Sequence, residues 1–300
     1  MIAQLKDALR KARRNPRHLW YVWQNVDIVR DHFPALHRIR VRFRKWWSSL
    51  DIGGASRISK LHVILRTTNA VMNLSGWRNL EEIGIHDRND VIRIGGLSLF
   101  PAAARFAKAC GRENLRITLV ADRLSQDGLR LYREAADAAG LDFDVVEAKG
   151  HGNGPTFQTQ MDIALKDSDD TLALILEDDY KLDETAFTMC FKVMRDHSKV
   201  IGMNPHFHPD RVRFQDIGKL VAIDGNLYCR VPSTCCTFFM PVVQIRRFEK
   251  YLRLYDGFEK GSVGVAWKKG ICLSPLGWTM AEHLHRSDLS PVQTLLRQEV

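Results

Sequence analysis

A chain of 300 residues with 45% apolar content can bury a large core, as one big domain or one domain with an extension. Its net charge of +9 is uneven: residues 1–60 hold 14 Lys and Arg against 4 Asp and Glu, the remainder 30 against 31. The basic character is thus confined to one segment, which excludes the high pI as an argument about the partners of the whole chain.

Residues 1–50 mix these cations with Trp20, Tyr21, Trp23, Phe33, Phe43, Trp46 and Trp47. Ile2, Leu5, Leu9 and Ala12 follow helical spacing among Lys6, Arg10, Lys11, Arg13 and Arg14. Such a basic helical extension suits an anionic membrane surface. Packing on the main domain and docking on a calmodulin-like partner are two further readings. Nucleic-acid binding, which would use the same cations and stack bases on the rings, is a fourth, disfavoured because no reading motif accompanies it. Gly53-Gly54-Ala55-Ser56 reads as a linker, so the expected division is an extension over 1–58, a main domain over 59–290 and a tail over 291–300. No run approaches the roughly 18 apolar residues of a spanning helix, and the start lacks a signal peptide's apolar region. The six cysteines show no zinc or C-x-x-C spacing, which fits a reducing cytosol.

The main domain alternates between the two periodicities. Strands are expected at 61–65, 117–121, 143–147 and 171–176, and helices at about 98–110, 126–139 and 156–166, with Gly140 as a left-handed helix cap. Residues 70–90 read as a loop with short structure. A helix follows from Phe187, Cys190, Phe191 and Met194, with Asp183 and Glu184 at its start. Further on come a strand at 200–203, a hairpin turning at Asp224-Gly225, a strand at 237–240, a helix at 242–255 and a last strand at 271–273. The alternation predicts an α/β fold, a mostly parallel mixed sheet flanked by helices.

The polar features gather at the carboxyl ends of the expected strands, where open α/β sheets bind ligands. They are Arg66-Thr-Thr-Asn69, Asp122, Asn153-Gly154 and Glu177-Asp178-Asp179. The last of these ends an unbroken apolar run, Leu172–Leu176. Two carboxylates ~4 Å apart repel by roughly 4 kcal/mol at an effective dielectric of 20, so such a cluster takes up protons or recruits a cation. Oxygen-rich sites suit Mg²⁺ or Mn²⁺; the bland alternative is a solvated strand-to-helix turn. His283 and His285 share a face if they lie on a strand, and either could ligate metal or simply bond at the surface.

In order and spacing these features resemble the GT-A glycosyltransferases, especially inverting family 2, over roughly residues 60–286. Arg66-Thr-Thr-Asn69 stands for that family's first turn, Asp122 for the Asp that holds the nucleotide base, and Asn153-Gly154 for its Asn-x-Gly loop. Glu177-Asp178-Asp179 stands for its Asp-x-Asp motif, and His283 or His285 for the late His. The resemblance implies a GT-A, Rossmann-like domain that moves a sugar from a nucleotide diphosphate, UDP favoured, to a hydroxyl acceptor. It implies a donor site of Arg66, Thr68, Asn69, Asp122, Asn153, Gly154 and Asp178. A divalent cation, Mn²⁺ or Mg²⁺, would lie on Asp179 and Glu177 with His285 or His283. The family's Arg in the helix after the glycine turn is replaced by Gln158 and Gln160, and its Glu-Asp catalytic pair is matched only by Glu259, with Asp256 second. With the basic N-terminus, the expected acceptor is a membrane-associated or lipid-linked glycan of a bacterial envelope, met on the cytoplasmic face of the inner membrane. A sugar-phosphate nucleotidyltransferase shares the fold and the metal, but it carries a glycine-rich loop after its first strand that Arg66–Met72 lacks. A degenerate membrane- or nucleic-acid-binding protein is the non-catalytic alternative.

Overall fold

The computed structural model describes residues 54–68, 84–206, 220–231, 237–254, 270–276 and 279–284. The basic extension, except its last residues, and the tail lie outside these, as do Asn69, Asp256, Glu259 and His285.

The first half builds a parallel sheet from β1 (Lys60–Thr68), β2 (Leu115–Asp122), β3 (Asp144–Glu147) and β4 (Thr171–Glu177). Between them run α1 (Arg88–Ile94), α2 (Leu99–Cys110), α3 (Gln126–Ala139) and α4 (Asn153–Ala164). After β4 come a short β5 (Tyr180–Leu182), α5 (Ala186–Asp196) and β6 (Val200–Met203). The hairpin β7 (Leu220–Ile223) and β8 (Asn226–Arg230) precedes β9 (Phe238–Pro241), α6 (Val242–Leu252), β10 (Ile271–Pro275) and β11 (Ala281–His283). The main sheet orders as β3-β2-β1-β4-β9-β6-β10-β8-β7 among the described residues, and β11 pairs with β5 in a separate ribbon. Among the described strands of the main sheet, only β9 and β8 run against the others.

The apolar runs are explained by the layers. Leu61, Val63, Leu65, Leu172, Leu174 and Leu176 face one core, shared with α2, α3 and α5; Ile64, Val120, Ala173 and Ile175 face the other, shared with α4 and α6. A strand covered on both faces needs apolar residues at every position, which is why β4 shows no alternation. Gly140 closes α3 in the left-handed region at φ 64°, and Asp224-Gly225 turn the hairpin at φ 48° and 81°.

Three expectations change. β1 continues through Arg66, Thr67 and Thr68, since β2 and β4 pair with it on both sides up to its end. α4 opens at Asn153, so Asn153-Gly154 is a helix's first turn and not a loop. Arg88-Asn89-Asp90, read as loop, is the first turn of α1, closed by a capping box between Asp87 and Asp90. Where the chain enters the domain, the Ser56 N–H donates to the Arg195 carbonyl at 2.7 Å, and the Gly54 carbonyl accepts from the Ser198 N–H at 2.9 Å.

Candidate active site

The strand order reverses between β1 and β4, since β2 and β3 continue on one side of β1 and β4 starts the other half. A crevice opens at such a switch point, at the carboxyl ends of the strands. Register places Arg66 opposite Glu177 and Thr68 opposite Asp122 there. Three of the sequence's polar features therefore share one edge, and the fourth, Asn153-Gly154, is joined to them by Arg66.

The three consecutive acids do not share one ligand. Glu177, the last residue of β4, pairs with the Arg66 guanidinium. Arg66 is buried and also donates to the Asn153 carbonyl at 2.9 Å, so it joins β1, β4 and the start of α4. Asp178 turns inward and pairs through both carboxylate oxygens with Arg88 of α1. It further accepts from the Thr67 hydroxyl at 2.7 Å and the Thr68 N–H at 3.3 Å. Thr67 in turn accepts from the Tyr132 hydroxyl of α3 at 3.0 Å. Arg88 closes the ring by donating to the Thr68 carbonyl. Burial pulls the Arg88 guanidinium down, yet Asp178 and Asp179 hold it above its ordinary value. Burial pushes the Tyr132 phenol well above its ordinary value, and the charge of Asp178 adds to this.

Asp179 is placed differently. Its Oδ2 accepts from His283 Nε2 at 3.1 Å, while Oδ1 is buried with no hydrogen-bond partner among the described residues. Burial would raise this carboxyl, but His283, then Arg88 and Arg66, hold it down at about 2. His283 comes from β11, brought alongside by its pairing with β5, where His283 lies opposite Tyr180. The two rings stack at 4.5 Å and 18°, which fixes the imidazole plane. The Asp179 carbonyl accepts from the Leu284 N–H at 2.8 Å, clamping the acid turn to the strand that carries the histidine.

Asp122 ends β2 buried, with both oxygens engaged. Gly152 N–H donates at 2.8 Å, His151 Nδ1 at 2.7 Å and Arg123 Nε at 3.1 Å. Burial alone would raise this carboxyl, but these donors hold it below its usual range. Asp122 thus anchors the glycine turn that opens α4. Gly154 is buried in the first turn of α4, and the Asn153 side chain is exposed at its tip. No side chain among the described residues caps α4, so its first N–H groups lack a side-chain acceptor there. Gln160, in the helix where the resemblance expects an Arg, is fully buried and donates to the Ile64 and Leu176 carbonyls at 2.6 and 3.0 Å.

The structure therefore brings together Arg66, Thr68, Asp122, Asn153, Gly154, Glu177, Asp178, Asp179 and His283. It directs Glu177 to Arg66 and Asp178 to Arg88, which leaves Asp179 and His283 as the pair with a ligand oxygen to spare. No group of three or more His, Cys, Asp or Glu able to hold a metal is present among the described residues. Arg88 and Tyr132 escaped the sequence reading. The signal for Arg88 was present: Asp87-x-x-Asp90 before Val91-Ile92 is a capping-box pattern that starts a helix there.

No family model and no curated protein matches the chain. Solved structures similar to it include TarS 1-349 of S. aureus, at 13% identity and TM-score 0.47, covering 74% of this chain and 59% of that one. The mannosyltransferase PcManGT from Pyrobaculum calidifontis, in complex with GDP-Man and Mn²⁺, is also 13% identical at TM-score 0.47, with 85% and 66% covered. A putative glucose-1-phosphate thymidylyltransferase from Bacillus anthracis is 10% identical at TM-score 0.45, with 79% and 95% covered. The chain spans little more than half the length of TarS 1-349, and these are distant likenesses.

Proposed function

We propose that the chain is a metal-dependent glycosyltransferase that moves a sugar from a nucleotide diphosphate to a hydroxyl acceptor. The observation that carries this reading is Asp179 at the switch point, whose buried Oδ1 has no hydrogen-bond partner among the described residues while His283 holds its other oxygen. Asp179 and His283 are the residues that would hold Mn²⁺ or Mg²⁺. The donor set fits, because such a site commonly needs one or two carboxylates and completes its shell with water and substrate phosphates. Bound there, the cation would neutralise charge on the leaving diphosphate.

The chain's own residues supply the rest. The uncapped start of α4, at Asn153 and Gly154, offers N–H groups and a positive dipole end to a diphosphate. Arg66 acts through what it holds, fixing that start to β1 and β4. Asp178 sets the acid turn through Arg88 and Thr67. Thr68, Asn69 and Asp122 would flank the nucleoside. In transfer, the acceptor oxygen bonds to the anomeric carbon as the bond to the diphosphate breaks. The acceptor proton goes to a carboxylate base, Glu259 or Asp256. A UDP-sugar is the favoured donor. The favoured acceptor is a glycan or lipid-linked glycan of envelope polysaccharide synthesis, at the cytoplasmic face of the inner membrane with residues 1–50 on its anionic surface. No helix among the described residues is long and apolar enough to cross a membrane.

Calorimetry across several nucleoside diphosphates, with and without Mn²⁺, tests the reading. Binding is expected only with the cation, and Asp179→Asn should lose it with an unchanged circular dichroism spectrum. Equal binding without Mn²⁺, or by Asp179→Asn, would overturn the metal assignment.

A further inference from the structure

α6 buries Val242, Ile245, Phe248 and Leu252 against the sheet and α4. Its opposite side is unusual for a solvated helix. Val243, Arg247 and Lys250, with Leu254 in the turn that follows, recur at spacings that keep them in one narrow stripe. Val243 is 44% and Leu254 63% exposed, two of the four large hydrophobic residues exposed among those described. Between them, Arg247 and Lys250 make no ion pair with a described residue, unlike Arg246 and Arg253 on the flanks, which pair with Asp169 and with Asp162 and Glu249.

The cations are also held in place. Arg247 lies over the Phe248 ring at 5.4 Å and Lys250 over the Tyr251 ring at 4.9 Å. Their stems thus follow the helix surface, with Tyr251 half-buried beside them. Two cations with apolar residues at each end of one stripe match the headgroup layer of an anionic bilayer, where cations meet phosphates and the apolar tips reach the acyl boundary. α6 also runs toward the candidate site: Val242 follows the Pro241 that pairs with Leu172 at the start of β4, and Arg253 meets Gln158 in the second turn of α4. We propose that the outer stripe Val243–Arg247–Lys250–Leu254 of α6 docks the folded domain on an anionic lipid surface. This docking is separate from residues 1–50 and does not depend on the transferase reading.

Flotation of the full chain with phosphatidylcholine vesicles, with and without phosphatidylglycerol, tests it. One cation near an anionic surface is worth about five-fold in partitioning, so Arg247→Gln/Lys250→Gln should weaken binding to the anionic vesicles roughly 30-fold. Leu254→Ser should weaken it several-fold with both charges kept. Arg105→Gln/Lys108→Gln, on the exposed side of α2, removes the same net charge and should change binding little. Unchanged binding by the α6 charge variant overturns the proposal, as does an equal loss in the α2 control. A loss of single-stranded oligonucleotide binding that matches the vesicle loss, with Leu254→Ser inert, would make the stripe a polyanion site and also overturn it. All these positions are exposed, and an unchanged thermal midpoint confirms that each variant is folded.

Discussion

Glu177, Asp178 and Asp179 are adjacent in sequence, yet Arg66, Arg88 and His283 take one each, from three different elements. That distribution relieves the repulsion that an isolated acid cluster would carry. It also ranks the residues. Asp178 and Arg88 form a buried pair, each nine-tenths or more covered, so removing one partner strands a charge. Arg88→Met should therefore cost about 3–5 kcal/mol in urea unfolding. Arg88→Met combined with Asp178→Leu should cost clearly less than the sum of the two single changes, because no uncompensated charge remains. Additive losses would show that the two groups do not act as a pair. Of the three acids, the sequence distinguished Asp179 by its motif position. It could not show that Glu177 turns to Arg66, because that pairing follows from the β1–β4 register.

Among the elements, α1 and the β5–β11 ribbon are what the sequence reading missed, and both bear on the site. α1 is only seven residues long, too short for a clear apolar period, and its start was marked by caps alone. Its end is tightly placed: a Cβ on Gly95 would run into the Asp178 carbonyl oxygen and lie 3.1 Å from the Val91 carbonyl. Gly140 at the end of α3 has open space around it and only its left-handed φ of 64° to preserve. Gly140→Ala should then cost about 1 kcal/mol from backbone strain alone. Gly95→Ala should cost about 2–3 kcal/mol through overpacking. Because it moves the acid turn, Gly95→Ala should also weaken Mn²⁺-dependent nucleotide binding, while Gly140→Ala leaves it unchanged. Thermal unfolding and calorimetry on the two variants separate the effects.

Over the whole molecule, the two edges of the sheet divide the work. The carboxyl edge carries the candidate site. The opposite edge carries contacts that hold the fold together. His62, buried at the start of β1, lies between Asp167 at 2.6 Å and Thr118 at 2.8 Å. Nearby, Asp170 accepts from the Ser168 and Ser59 hydroxyls and pairs with Lys60 at 3.4 Å. The Ser168 hydroxyl, then Ser59, hold the Asp170 carboxyl down at about 2, from an ordinary value of 3.8. A depressed carboxylate stabilises the fold above its unfolded pKa, and that contribution is lost as pH falls from 3.8 through about 2. Asp170→Asn should thus flatten the fall in unfolding temperature across that acid window. At neutral pH it should leave nucleotide binding unchanged, since the site lies at the other edge.

The sequence by itself determined the layered α/β plan, since apolar periodicity and caps are local properties that burial on two sheet faces imposes directly. It located the edge where polar residues collect, because strand ends are visible as the points where apolar runs stop. Only the tertiary structure decided which acid keeps an oxygen without a partner among the described residues. Arg66 meets Glu177 through strand register, Arg88 reaches Asp178 across 90 positions, and His283 reaches Asp179 across 104. Such long-range pairings depend on how elements pack, and no local pattern in the chain encodes them.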